Sequence, residues 1–193
     1  LGIYNISSEL EQQANKIGVQ IFKLVGAVQD KTFIASTLKK YDIDTIYHAA
    51  AYKHVPLVEV NPISGVYNNV IGTYNLSRIS HELNIERMIL VSTDKAVRPT
   101  NIMGATKRVS ELITQAYSQK VKNNKSITTK FSMVRFGNVL NSSGSVVPLF
   151  EKQIKQGGPI TLTHIDIERY FMTIKEASQL VLQATELSEG GEL

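Results

Sequence analysis

The 193-residue sequence contains no cysteine, which excludes disulfides and thiolate metal sites and suits a reducing compartment. It has no apolar run approaching the length that spans a bilayer, and no signal-peptide pattern. No internal repeat or low-complexity stretch stands out. Charge is not concentrated either: the net charge of +4 comes from basic residues scattered along the chain. The densest basic cluster, Lys120, Lys122 and Lys125, is interleaved with Asn123, Asn124 and Ser126 and reads as a solvated loop. That argues against nucleic acid as a partner. The modest positive balance suits an anionic substrate such as a nucleotide diphosphate.

What is present is ordinary for one globular domain with a sizeable core: 42% hydrophobic and 20% charged residues. Short apolar runs alternate with longer amphipathic ones, the pattern of repeated βα units. Helices are expected from the capping box Ser8-x-x-Glu11 to Ile17, over 32–41 with a cap near Asp30, and over 64–83 with Val66, Val70 and Tyr74 at helical spacing. Two more are expected: 102–119, with Val109, Leu112, Ile113 and Ala116 on one side, and one opened by Thr173-x-x-Glu176 with Ala177, Leu180, Val181 and Ala184 inward. Strands are expected at 20–25, 45–49, 87–92, 129–135 and, after Gly157-Gly158-Pro159, at 160–163. The continuous run Met88-Ile89-Leu90-Val91 suits a strand covered on both faces. The fold class is therefore α/β, one doubly wound parallel sheet. In such sheets ligands sit beyond the carboxyl ends of the strands, so the segments after Val25, His48, Ser92 and Arg135 are where chemistry is sought.

After His48 come Ala49, Ala50 and Ala51, whose small side chains either let a bound group approach the backbone or pack helix against sheet. Lys53 and His54 follow on the loop and could meet phosphate or sugar hydroxyls. His48 and His54 lack a further ligand at suitable spacing, so no metal is expected. Ser92-Thr93-Asp94-Lys95 sets a hydroxyl, a carboxyl and an amine at a strand end. In extended backbone their side chains diverge, so Asp94 and Lys95 would flank a substrate; a surface turn capping the next helix is the alternative. Met103 and Lys107 share a helix face, a spacing that by itself most often means a core residue and a snorkelling one. After Arg135 come Phe136-Gly137-Asn138-Val139 and the Gly/Ser loop 142–148, which reads as an amide-presenting phosphate loop or as an ordinary flexible one.

Taken in order, the stretches 49–57, 91–96, 104–107, 135–139 and 169–173 resemble the extended short-chain dehydrogenase/reductase superfamily. More closely, they resemble its polysaccharide-biosynthesis group of UDP-N-acetylglucosamine 4,6-dehydratases, which serves capsule, O-antigen and protein glycosylation. Met103 stands where the superfamily has its catalytic Tyr, a mark of the long, membrane-anchored subgroup. The family's glycine-rich dinucleotide loop has no counterpart here, so the sequence reads as a piece truncated at its N-terminus. On that reading residues 1–140 are the remainder of a Rossmann-like, NAD(P)-binding domain and 141–193 the start of a smaller substrate-binding part.

The resemblance implies an internal redox cycle on a UDP-sugar with NAD or NADP, leaning to NAD. It implies Lys95 as base at C5 and Asp94 as acid at C6, both favoured by burial. Thr93 would handle the C4 hydroxyl proton in place of Met103, and Lys107 would hold the nicotinamide ribose. Asp30, Ala49, Ala50, Ala51 and Ser92 are its cofactor-side candidates. Lys53, His54, Asn138 and Arg169 are its substrate-side candidates, with a salt bridge to Asp166 as the other reading of Arg169. The complete protein is expected to be a homo-oligomer whose catalytic part is cytoplasmic and anchored to the inner face of a bacterial membrane, and the piece alone is expected to be inactive. A UDP-sugar epimerase and a non-catalytic dinucleotide-fold module are the rival readings.

Overall fold

The computed structural model describes residues 2–124, 126–140, 142, 146–162 and 164–193. At its centre three parallel strands, β1 (Thr45–His48), β2 (Arg87–Thr93) and β3 (Lys130–Phe136), run in the order β1-β2-β3. Met88, Ile89 and Leu90 of the middle strand are each 0% exposed, as a strand covered on both faces requires. Asp30 accepts a hydrogen bond from the Phe33 amide at 2.9 Å and so caps α2 (Lys31–Lys40). Ile34 and Leu38 of this helix join Leu76 and Ile79 of α5 (Gly72–Glu82), Met88, Tyr117 of α6 (Ile102–Lys122) and Phe131 in the main core. Each such side chain contributes on the order of 2 kcal/mol through burial. Between β1 and α5 lie α3 (Val55–Val60), α4 (Pro62–Gly65) and a π-helical stretch, Val66–Ile71, that continues directly into α5.

Beyond β3 come a two-stranded sheet, β4 (Asn138–Val139) with β5 (Phe171–Met172), and a helix between these strands in sequence, α7 (Val146–Lys155). Thr173 then opens α8 (Ile174–Leu187) through a complete capping box with Glu176, as the sequence implies. Residues 190–192 run along β3, with Gly191 N donating to Phe131 O at 2.7 Å and Met133 N to Glu192 O at 3.0 Å. Among the described residues no helix is long and apolar enough to cross a membrane.

Several expectations need correction. Ser8 does not open a helix: α1 (Gly2–Ile17) begins earlier, and the Ser8 hydroxyl donates back to Tyr4 O at 3.3 Å from inside it. Residues 20–25 form no strand, because β1 is an edge of the three-stranded sheet and no described strand lies beside them to pair. Residues 160–162 are not a strand either, and Thr163 lies outside the described residues, as does Lys125 of the basic cluster. Leu180 of α8 is 48% exposed, while Ala177 is buried.

The face expected of α6 holds only in part: Ile113 packs against the main core, but Ala116 is exposed. Val109 and Leu112 are 42% and 47% exposed, whereas Ser110, Glu111, Thr114 and Ser118 are buried. The helix covers a polar network at the strand ends, and that network needs hydrogen-bonding side chains rather than apolar ones.

Candidate active site

β2 and β3 end together, Thr93 pairing in register with Phe136, while β1 stops earlier, at His48 opposite Leu90. Beyond these ends lies a cavity of about 690 Å³. It is lined by Ala49, Ala51, Lys53 and His54 after β1, by Ser92, Thr93 and Lys95 at the end of β2, by Met103 and Lys107 of α6, and by Asn138 of β4. Most sequence candidates thus converge on one concavity. Asp30, Ala50, Asp94 and Arg169 are not among its lining residues. Asp30 is occupied as the helix cap. Arg169 donates to the neighbouring Glu168 O at 2.7 Å, and Asp166 lies 3.8 Å from His164 instead of pairing with Arg169. Of the Gly/Ser loop, Ser142 lines the cavity and accepts from Lys53 Nζ at 3.5 Å, while Ser143–Ser145 lie outside the described residues.

The end of β2 is not extended, as the divergence of Asp94 and Lys95 required. Thr93 caps a single 3₁₀ turn, Asp94–Ala96, accepting from Lys95 N at 3.4 Å and donating to Asp94 Oδ1 at 2.9 Å. The turn folds Lys95 back so that Nζ lies 3.0 Å from Asp94 Oδ1 and 3.5 Å from Asn138 Oδ1. Partial burial pushes the Asp94 carboxyl up, but hydrogen bonds from Lys95 and Thr93 outweigh it and hold the group below the usual carboxylate range. Burial therefore does not keep Asp94 protonated in this arrangement, contrary to the sequence reading.

Helix α6 is seated against this turn by a glycine. The Gly104 amide donates to the capping Asn101 Oδ1 at 2.8 Å, and a Cβ on Gly104 would stand 2.2 Å from Lys95 O. Only glycine permits that approach, which sets Met103 (3% exposed) and Lys107 (6% exposed) at the cavity. Lys107 Nζ donates to Val91 O at 2.7 Å, and burial pushes its pKa down to about 8 against the opposing effect of Glu111.

Beneath the loop after β1, His48 is buried. Thr73 Oγ1 donates to Asn69 O at 2.6 Å and so accepts from His48 Nε2 at 2.9 Å, which places the imidazole proton on Nε2. Asn69 in turn grips both sides of the Tyr52 peptide, accepting from Tyr52 N at 2.7 Å and donating to Tyr52 O at 3.1 Å. Desolvation, aided by nearby Lys107, pushes the His48 pKa down to about 3. The native state then binds fewer protons than the unfolded chain between about pH 3 and pH 6.5. His48 should withdraw up to about 4–5 kcal/mol of stability as pH falls through that window. Urea unfolding at intervals from pH 7 to pH 4 should show a shallower loss for His48→Gln than for the parent, and parallel losses would refute this role for His48.

The sequence reading missed Glu111. It is 1% exposed, accepts from Ser92 Oγ at 2.6 Å, and takes a forked pair of bonds from Arg135, Nε at 2.8 Å and Nη2 at 2.6 Å. Arg108 adds a further bond at 2.9 Å. Its spacing of one helical turn from Lys107 was the visible signal. The Ser92 hydroxyl, expected on the cofactor side, is committed to this carboxylate.

A family model described as "Polysaccharide biosynthesis protein" matches residues 1–193. The chain belongs to that family. Within it, the capsular polysaccharide biosynthesis protein CapD of Staphylococcus aureus is 47% identical over 192 residues, covering 99% of this chain and 31% of that protein. An inverting UDP-N-acetylglucosamine 4,6-dehydratase of Campylobacter jejuni is 37% identical over 170 residues, covering 88% of this chain and 49% of that protein. A protein named UDP-glucose 4-epimerase from Rickettsia bellii is 37% identical over 169 residues, covering 88% of this chain and 48% of the relative. Among solved structures, Pen from Bacillus thuringiensis superposes with a TM-score of 0.85 at 34% identity, over 96% of this chain and 56% of that one. The chain thus spans about a third to a half of these relatives' length, and the family assignment agrees with the extended short-chain dehydrogenase/reductase fold of its parallel sheet.

Proposed function

We propose that this chain carries the catalytic centre of a nucleotide-sugar 4,6-dehydratase that acts on UDP-N-acetylglucosamine or a close relative, with NAD favoured over NADP. The observation that carries the reading is the hydrogen-bonded Asp94–Lys95 pair at the rim of a cavity that buried Lys107 also lines. On this reading residues 1–140 form the dinucleotide side and 141–193 begin the substrate side, with the C-terminal residues 190–192 returning along β3; the working polypeptide is longer, as the relatives are.

The residues present fit the nicotinamide end of a dinucleotide: Ala49 and Ala51 leave room at the strand end, and Lys107 offers its buried amine to ribose hydroxyls. Bound there, the cofactor would supply hydride acceptance from C4 and hydride return at C6. The chain's own residues supply the proton chemistry. The resting pair is Asp94 carboxylate with Lys95 ammonium. Closure of a sugar over it excludes water, and desolvation favours the neutral pair. One proton moving along the 3.0 Å hydrogen bond gives both forms the reaction needs, neutral Lys95 and protonated Asp94. Lys95 then takes the C5 proton, made acidic by the C4 ketone, and Asp94 gives its proton to the departing C6 hydroxyl. Water leaves and Lys95 returns a proton to C5; the proton released from the C4 hydroxyl then recharges Lys95, so the resting ionic pair is restored. Thr93 handles the C4 hydroxyl proton, because the Met103 thioether cannot. Lys53, His54 and Asn138 contact sugar or phosphate, joined by Arg169 when substrate draws its exposed guanidinium inward. Asp30 and Ser92 support the cofactor side through the backbone they fix. The complete protein is read as a homo-oligomer.

The Rickettsia relative's name favours epimerisation as the second reading. Incubating the complete polypeptide with UDP-N-acetylglucosamine and weighing the product separates the two. Loss of one water supports dehydration, and a product of unchanged mass supports the epimerase.

A further inference from the structure

We propose that Glu111 is the positioning residue of this centre, tying the three elements that carry the reacting groups into one geometry; the proposal rests on the nucleotide-sugar reading above. Ser92 and Arg135 are direct neighbours across the β2–β3 ladder, and both end on the Glu111 carboxylate. One turn earlier on the same helix, Lys107 bonds Val91 O at 2.7 Å. Helix α6 therefore holds successive residues of β2, Val91 and Ser92, immediately before Thr93, Asp94 and Lys95. Arg135 brings in the strand that leads to Asn138, whose Oδ1 meets Lys95.

A carboxylate with 1% exposure is costly to bury. Here every bond to it comes from a strand end at the cavity or from its own helix, so its placement serves the geometry of that rim. Arg135 and Arg108 also keep it ionised: burial raises its pKa, but bonds from Arg135, Ser92 and Arg108 outweigh that and lower it. As an anion it faces Lys107 and supports that amine's charge. The other charged or titratable groups around the site are neutral His48 from β1, Lys53 and His54 from the loop after it, Lys95 and Asp94 from the β2 turn, Arg108 from α6 itself and Arg135 from β3.

Two consequences separate this role from simple packing. Removing the charge should lower the ionisation pH of Lys107, and loosening the tie should slow turnover without weakening substrate capture. The test compares Glu111→Gln, Glu111→Asp and Ser92→Ala in the complete polypeptide. Glu111→Gln should lower kcat about 10- to 100-fold with KM for the UDP-sugar within about 3-fold, as for a group acting on alignment. Competitive acylation of Lys107 without ligands, read by mass spectrometry across pH, should shift to lower pH in Glu111→Gln. It should stay in place in Glu111→Asp and Ser92→Ala, which keep the charge, although both should lose kcat. If Glu111→Gln does not fold, Ser92→Ala decides the point, because wild-type kcat in that variant overturns the proposal. Loss of melting temperature alone, with kcat per folded molecule and the Lys107 profile unchanged, also overturns it. If the wild type returns product of unchanged mass, the dehydratase reading fails, while the same variants scored on that product still judge Glu111.

Discussion

Asp94→Asn in the complete polypeptide is expected to lower the rate of water loss by about 10²- to 10⁴-fold, the usual range for a general acid. Asn keeps the shape and can still accept from Thr93 and Lys95, so the 3₁₀ turn should survive. It cannot carry a transferable proton. Oxidation at C4 does not require Asp94, so the variant should still reduce part of its cofactor on mixing with substrate, visible as absorbance near that of the reduced nicotinamide. Full turnover by Asp94→Asn would remove Asp94 from the mechanism. No cofactor reduction at all would show that the change had damaged binding or the turn, and Lys95→Met would then be the cleaner probe of the pair.

Lys107→Met is expected to make the protein more stable and less active. The sign follows from burial. The Lys107 pKa is pushed from 10.5 down to about 8, so the folded state resists a proton that the unfolded chain accepts. That penalty is fully present below about pH 8 and fades as pH rises toward the unfolded value of about 10.5. At neutral pH it amounts to about 3 kcal/mol, from which the lost bond to Val91 O subtracts about 1 kcal/mol. Denaturant unfolding at pH 7 should therefore favour the variant by about 2 kcal/mol, with the gap closing by pH 10.5. Activity should fall by about 10²-fold or more if Lys107 holds the ribose in line for transfer. A variant less stable than the parent at pH 7 would contradict the assignment of Lys107 as a desolvated amine kept for function.

Much of the fold could be read from side-chain pattern alone. The run Met88 to Val91 announced a strand buried on both faces, and the strand ends it implied enclose the cavity. The failures have physical causes. Ser8-x-x-Glu11 and Thr173-x-x-Glu176 share one motif, yet only Thr173 has an extended backbone that can cap; Ser8 sits inside a helix that residues before it had already begun. On α6 the apolar pattern misleads in part: Tyr117 and Ile113 reach the core, but Val109 and Leu112 face outward while polar residues beside them cover the strand ends. Residues 20–25 have strand chemistry but no neighbour, and a ladder needs two partners. At the site, spacing left the readings of Thr93, Lys95, Met103 and Lys107 open; the family resemblance grouped them with Asn138, and all five line one cavity. The ionised state of Asp94 was not legible, since it depends on a turn that brings Lys95 back upon it. Glu111 was missed because an acid one helical turn from a lysine reads as a surface pair; its burial shows only when Ser92 and Arg135 arrive from two strands.

In the proposed mechanism Lys95 removes and restores a proton at C5 of the sugar. The most direct measurement is turnover of UDP-N-acetylglucosamine by the complete polypeptide in deuterium oxide, with the product analysed by mass spectrometry and proton NMR. The account predicts a product one water lighter carrying a single deuterium at C5. A product of unchanged mass, or a dehydrated one whose C5 keeps its original hydrogen, would contradict it.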